Sequence, residues 1–157
     1  MSQNSLSSDE RWLAALAHAG ILIPAVGAAA PLIVWITQRE KSDYLRFQAL
    51  QALAYQLLLA AVWVVLGAVS GLLMLVLGLI GGAFALSMQT DAPFMLLTGG
   101  QFLLIGVILC LLGLAVFLGV LAALACASGS DFRYPLLGDR LEKFLFRSVE
   151  TAEVSHD

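Results

Sequence analysis

One histidine and two cysteines are the residues in the apolar part of this chain that could bind a metal or carry a proton: His18, Cys110 and Cys126. On a single helix the two cysteines would be about 24 Å apart along the axis and roughly 160° apart around it. That distance excludes an intrahelical disulfide and a shared metal, so we interpret both cysteines as packing residues. His18 has no second ligand nearby in the sequence, and we expect it to be a hydrogen-bonded helix contact rather than a proton relay.

Other patterns that carry chemistry are missing from the sequence. There is no nucleophile elbow, phosphate-binding loop, metalloprotease helix or pair of carboxylates. Transporters and pumps usually keep ionisable residues inside their spans, and here only His18 lies in such a position. We expect Asp91, alone in a loop, to be solvated. The sequence therefore predicts a protein that is not an enzyme and that holds no cofactor and no metal.

The elements that position these residues are apolar enough to be membrane helices. Asp91 is the only charged residue between Phe47 and Ser130, and residues 12–38 contain none. Charged residues make up 12% of the chain, against about 25% in soluble domains. A charge at the bilayer centre costs roughly 2.5–3.5 kcal/mol, which explains this depletion. We predict an all-α, multi-pass membrane protein in contact with lipid, without a signal peptide, and a net charge of −3 suggests no nucleic-acid partner.

Proline and glycine break the first apolar segment, residues 12–37, at Pro24, Gly27 and Pro31. One interpretation is a single broken span of about 25 residues, with the N-terminus outside. The other is a hairpin of two helices, residues 12–23 and 28–37, that enters and leaves on the same side. Each arm would be about 15–18 Å long, too short to cross a bilayer.

The remaining apolar sequence predicts two long spans in a small helical bundle. Residues 47–88 form either one long span (47–80) with an outer extension to 88, or two helices broken near Ser70 or Gly81. A loop at residues 89–100 precedes the last span, residues 101–127. Basic residues stay cytoplasmic, and they flank this region on both sides while the loop has none. That asymmetry favours one crossing between 47 and 88 and a cytoplasmic C-terminus.

A single membrane domain, residues 9–147, is expected between a polar N-terminal tail (1–8) and an acidic C-terminal tail (148–157). Its last element, residues 139–147, has the pattern of a basic amphipathic helix at the membrane surface. We predict lipid headgroup contacts for its basic residues, Arg140, Lys143 and Arg147. This helix is either a plain topology anchor or a specific lipid or partner site.

Small residues recur at near-helical spacing in both long spans: Gly67, Gly71, Gly78 and Gly82 in one, and Ala115, Gly119 and Ala123 in the other. Small residues let helix backbones approach closely in a membrane. These faces either pack the protein's own helices together or dock a partner or a second copy.

The stretch from Tyr44 to Leu53 resembles a motif of the twenty-kilodalton subunit of the chloroplast inner-envelope protein-import translocon and its bacterial relatives, a family of small membrane proteins. The resemblance covers most of residues 12–145. Its most specific parts are an interfacial polar motif: Arg46, Gln48, Gln51, Tyr134 and Pro135. The resemblance implies both termini on one side, which favours the hairpin. The first two helices are truncated relative to the plastid protein, so import activity is not carried over.

Two functions are compatible with these patterns. The first is a structural or accessory subunit of a homo-oligomer or a larger complex in a bacterial cytoplasmic membrane. The alternative is a small conduit or translocation helper, which rests on the resemblance. In either case we predict that Arg46 and Gln51 form a polar cap that holds the first segment in place, unless Arg46 only extends to the interface as membrane arginines do.

Overall fold

The computed structural model describes residues 6–23, 26–135, 137–141 and 143. In this part of the chain there are helices and turns and no strands. The helices are α1 (Ser8–Ala19), followed by a 3-10 turn (Gly20–Leu22), α2 (Ala29–Gln38), α3 (Asp43–Met88) and α4 (Ala92–Ala127). The predicted all-α class is confirmed, and α3 and α4 are long and apolar enough to cross a membrane.

A capping box starts α1. The backbone N–H of Glu10 donates to Ser7 Oγ at 3.2 Å, and the backbone N–H of Ser7 donates to Glu10 Oε2 at 3.0 Å. Each bond satisfies a donor that the first turn would otherwise leave unpaired, and the acidic groups favour a helix N-terminus.

α1 and α2 form a hairpin, because they pack against each other. Gly20 and Gly27 make this possible, since a Cβ on either one would collide with the carbonyl oxygen of the other. Pro31 lies in the first turn of α2, where its missing N–H costs no helical hydrogen bond. Pro24 lies outside the described residues. Of the two interpretations of this segment the structure has the hairpin, with arms of 12 and 10 residues.

The second apolar segment is one unbroken helix of 46 residues, so the alternative with a break near Ser70 or Gly81 is wrong. The loop expected over residues 89–100 is also wrong, because α4 begins at Ala92. Pro93 is tolerated in the first turn of a helix, and glycines are common inside membrane helices. The turn is confined to residues 89–91, where Gln89 adopts a positive φ of 52°.

The chain forms two compact units. The first unit contains the hairpin, α3 up to Leu58, α4 from Val116 and the residues after α4. Its apolar core is made largely of small side chains: Ala14, Ala15, Ala17, Val34, Leu45, Ala49, Ala52 and Cys126. The second unit is residues 59–115, the rest of α3 and α4. Most of its large apolar side chains are exposed, as expected of a surface that faces lipid.

Candidate functional site

A cluster of buried polar side chains lies inside the first unit. His18 is 1% exposed, Gln48 and Gln51 are 0% exposed, and Tyr134 is 4% exposed. They come from α1, from α3 and from residues 131–135, which follow α4 and are called the exit segment below. Buried polar groups need hydrogen-bond partners, and in this cluster they find them in one another.

His18 joins α1 to the other two parts. Its Nε2 lies 3.1 Å from Gln48 Oε1, and its Nδ1 lies 3.2 Å from the hydroxyl of Tyr134. The Gln48 amide is oriented by its nitrogen, which donates to Asp131 Oδ1 at 2.9 Å and to the Phe132 carbonyl at 3.1 Å. Gln48 Oε1 is therefore an acceptor, so we assign the proton to Nε2 of His18, and Tyr134 donates to Nδ1.

His18 is neutral in this arrangement. Its Nε2 already donates to Gln48 Oε1 and its Nδ1 accepts from Tyr134, so both ring nitrogens are engaged. A second proton, on Nδ1, would face the hydroxyl of Tyr134 and displace the proton that this hydroxyl donates. The predicted hydrogen-bonded role of His18 is confirmed.

Gln51 and Tyr55 hold the exit segment. Gln51 Nε2 donates to the Phe132 carbonyl at 3.0 Å, and its Oε1 accepts from the backbone N–H of Tyr134 at 3.4 Å. The ring of Tyr134 stacks on Tyr55 with centroids 4.0 Å apart and planes 11° apart. The structure thus brings Gln48, Gln51 and Tyr134 together.

Arg46 and Pro135 lie beside this cluster rather than in it. Arg46 is half-buried and Pro135 is exposed, and the described hydrogen bonds of the cluster include neither side chain. The polar cap predicted from Arg46 and Gln51 is therefore corrected, because Gln51 binds the exit segment. The first segment is held by Gln48, through His18, and by Gln56, whose Nε2 donates to the Ala17 carbonyl at 3.1 Å.

Three further contacts of this region could not be assigned from the sequence. Ser42 Oγ donates to Glu10 Oε1 at 2.6 Å and ties the start of α1 to the start of α3. This bond, followed by those from Ser7, lowers the pKa of the Glu10 carboxyl. The Cys126 thiol lies 3.7 Å from Gln48 Oε1, and Arg133 lies over the Phe47 ring. For the glutamines of the cluster the sequence did contain a signal. The spacing of Gln48, Gln51 and Gln56 places all three on one side of a helix.

The two ladders of small residues have different surroundings. A Cβ on Gly67, Gly71, Gly78 or Gly82 would meet no described atom within 4 Å. Gly119 is buried against Ile21 of the hairpin, with the nearest side-chain atom 2.8 Å from an added Cβ, and Ala115 and Ala123 are half-buried. The second ladder therefore packs inside the chain at Gly119, whereas the first does not.

The second unit has a small apolar groove of about 110 Å³ between α3 and α4, with Met74, Phe94 and Leu97 among its lining residues. Gln101 also lines it. Its Nε2 donates to the Ser70 carbonyl at 3.3 Å, and its Oε1 is buried without a partner among the described residues.

The predicted surface helix is only partly described. Residues 138–141 and 143 are helical, and Arg140 and Lys143 are exposed. Arg147 lies outside the described residues, so the headgroup contacts stay a prediction. Within the described residues no group of three or more His, Cys, Asp or Glu side chains is placed to hold a metal.

A family model decides the relationship of this chain. Residues 9–141 match the MamF/MmsF model, described as the magnetosome magnetite crystal formation protein family. The chain belongs to this family. The match includes the hairpin, both long helices and the exit segment. No curated protein and no solved structure matches the chain.

Membership in the MamF/MmsF family agrees with the predicted small bacterial membrane protein. It is not a known enzyme family. The comparisons do not test the resemblance to the plastid import subunit, which stays a prediction.

Proposed function

We propose that this protein is a non-enzymatic accessory subunit of the magnetosome membrane that acts in magnetite crystal formation. The observation that carries the proposal is the family match over residues 9–141, which includes every member of the buried polar cluster. The chemistry of the cluster supports a structural role. Both ring nitrogens of His18 and both ends of the Gln48 amide bond other parts of the chain, so these groups are occupied in holding the fold.

The proposal is tested by deleting the gene in a magnetosome-forming host and measuring crystals by electron microscopy. We expect smaller or irregular crystals, restored by the full-length protein and recovered with the magnetically isolated membrane fraction when the protein is tagged. Unchanged crystals in the deletion strain, together with absence of the protein from that fraction, would contradict the role.

The proposed orientation places both termini on the cytoplasmic side. Arg39, Lys41, Arg133 and Arg140 support it, since basic residues flank the base of the hairpin and follow α4. Labelling of single cysteines at the two ends with a membrane-impermeant reagent in intact cells tests this, and modification of either end from outside would contradict the assignment.

We further propose that the open glycine face of α3 docks a second copy or a partner subunit. Its support is that Gly67, Gly71, Gly78 and Gly82 have open space beside them in the chain itself. Gly71→Leu should reduce the mass of the particle isolated in gentle detergent. Gly106→Leu is the matched control, because it adds the same volume beside a glycine of α4 that is equally open. Equal effects, or none, would exclude this face.

A conduit is the second candidate function. Its support beyond the resemblance is the interrupted helix around Gly20 and Gly27, since irregular backbone at membrane depth normally lines a cavity or is buried in protein. Liposomes that contain the purified protein should then pass ions or peptides. Liposomes that pass neither, at full protein loading, would exclude this candidate.

A further inference from the structure

The hairpin presents an apolar surface on both arms and at its tip. Six large apolar side chains are each 56–64% exposed: Leu16, Leu22, Ile23, Val26, Ile33 and Ile36. They do not form one narrow stripe that a single helix could cover, because they lie on α1, on α2 and on the turn between them. A surface of this kind requires an apolar environment on several sides.

The base of the hairpin is polar and charged. Asp9, Glu10 and Arg11 begin α1, and Arg39, Glu40 and Lys41 follow α2. The Ser42–Glu10 bond closes this end. Trp12, which is 69% exposed, lies at the same end, at the level where tryptophan is enriched in membrane proteins. Both arms therefore start and finish at one membrane surface.

The length of the hairpin limits its depth. From Trp12 to Leu22 the chain rises about 17 Å as a helix, while the hydrocarbon core is about 30 Å thick. An independent contact gives a similar depth. Ile21 packs on Gly119, and Gly119 precedes the end of α4 at Ala127 by about 12 Å of helix. The apolar tip therefore ends near the middle of a bilayer.

We propose that the hairpin inserts into one leaflet only, the one on the side of the basic residues, and that the acyl chains of that leaflet cover its apolar face. The turn tolerates this environment because the backbone N–H groups of Ile23, Gly27 and Ala29 donate to carbonyls within the hairpin. The two spanning helices displace lipid in both leaflets, whereas the hairpin enlarges one leaflet alone. The protein therefore favours membrane that is convex on its basic side. This inference does not depend on a role in crystal formation.

Spin labels on the full chain test how deep the hairpin lies in the bilayer and whether lipid or a second copy covers its apolar face. Cys110→Ala removes the exposed thiol, and Cys126 is fully buried. Into this background we would place Val26→Cys at the tip, Ile36→Cys near the base and Leu114→Cys on α4 as the reference. In liposomes the Val26 label should collide with oxygen as often as the Leu114 label does. The Ile36 label should be more accessible than either to a water-soluble nickel complex.

Two results would overturn the one-leaflet hairpin. A Val26 label that is open to the nickel complex would place the tip in water. Strongly immobilised labels at Val26 and Ile33→Cys, with a single sharp interspin distance, would show that a second copy covers the face instead of lipid.

Membrane tubes drawn from giant vesicles test the consequence for curvature. A dye at the C-terminus and an impermeant quencher report which way the chains face. Because interfacial insertions are curvature-sensitive, chains with the basic side outward should be enriched in tubes over the flat membrane, by about twofold, and inward-facing chains should be depleted. Equal enrichment of outward-facing and inward-facing chains in the tubes would overturn the proposal.

A pair of variants links this sorting to the hairpin face. Ile33→Lys combined with Val26→Lys should abolish the enrichment, while Ile33→Ala, at the same exposed position, should retain it. If the lysine variant does not fold, the labels at Val26 and the sign reversal with orientation still decide the question. Enrichment that survives in a folded lysine variant would contradict the assignment to this face.

Discussion

Both compact units contain parts of the same two long helices, α3 and α4, yet they are stabilised in different ways. In the first unit, side chains of α3 donate to the hairpin and to the exit segment, and Gly20, Gly27 and Gly119 allow close approach. In the second unit Gln101 bonds the Ser70 carbonyl, Gly81 contacts Phe94 and Leu97, and most large apolar side chains face outward. Polar residues within an apolar run mark where this chain packs on itself, whereas the regularly spaced glycines of α3 do not.

The sharpest test of this difference is a glycine exchange in each unit. Gly27→Val should destabilise the protein by about 3 kcal/mol or more, because its side chain would collide with backbone oxygens that cannot move independently. Gly67→Ala should leave the free energy of unfolding unchanged or raise it by up to about 1 kcal/mol, because alanine has the higher helix propensity. Thermal unfolding in detergent measures both, and similar losses would mean that the two glycines do not differ.

A second test removes one glutamine from each unit. Gln48→Leu leaves the His18 Nε2–H and the Asp131 carboxylate without this partner, and should cost about 2–3 kcal/mol. Gln101→Leu removes a single hydrogen bond and an oxygen that already lacks a partner, so its cost should stay below about 1 kcal/mol. Chemical unfolding of both variants gives the comparison, and a reversed order would refute it.

Acidification should weaken the first unit selectively. A second proton on His18 would displace the proton that Tyr134 donates and would place a charge in a buried position, so stability should fall as the pH drops below the ordinary histidine range of about 6.5. From pH 7 to pH 5 the free energy of unfolding should fall by about 1–2 kcal/mol. His18→Gln, which cannot titrate, is the control. If that variant loses as much stability over the same range, another group is responsible.

Among these changes to the first unit, the smallest effect is expected for Tyr134→Phe. This change removes the hydroxyl that donates to His18 Nδ1 but keeps the stack on Tyr55, so it should cost about 1 kcal/mol. Tyr134→Ala, which also removes the stacked ring, should cost more. Equal losses from the two variants would show that the ring packing contributes little.

Hydropathy and charge were sufficient for the all-α class and the two long apolar helices, because both depend on local composition. The hairpin remained one of two alternatives, because the close approach of Gly20 and Gly27 involves residues that are brought together only by the turn. The loop predicted at residues 89–100 was wrong because residues such as Pro93 and Gly99 interrupt helices more often in soluble proteins than in membranes.

Most of the polar cluster was visible as single residues but not as a set. Gln48, Gln51 and Tyr134 were selected through a resemblance, and Gln51 was assigned the wrong partner. Hydrogen bonds between positions about 80 residues apart, such as Gln51 to the Phe132 carbonyl, depend on tertiary placement that spacing does not encode.

The length of α3 also makes this protein dependent on bilayer thickness. Its 46 residues rise about 69 Å, more than twice the hydrocarbon thickness of about 30 Å. A helix this long must tilt, thicken the surrounding lipid or leave apolar residues beyond it, at a cost of fractions of a kcal/mol per ångström of mismatch. Thicker membranes cover more of that surplus, so hydrophobic mismatch gives this chain a preference among membranes that its charges do not provide.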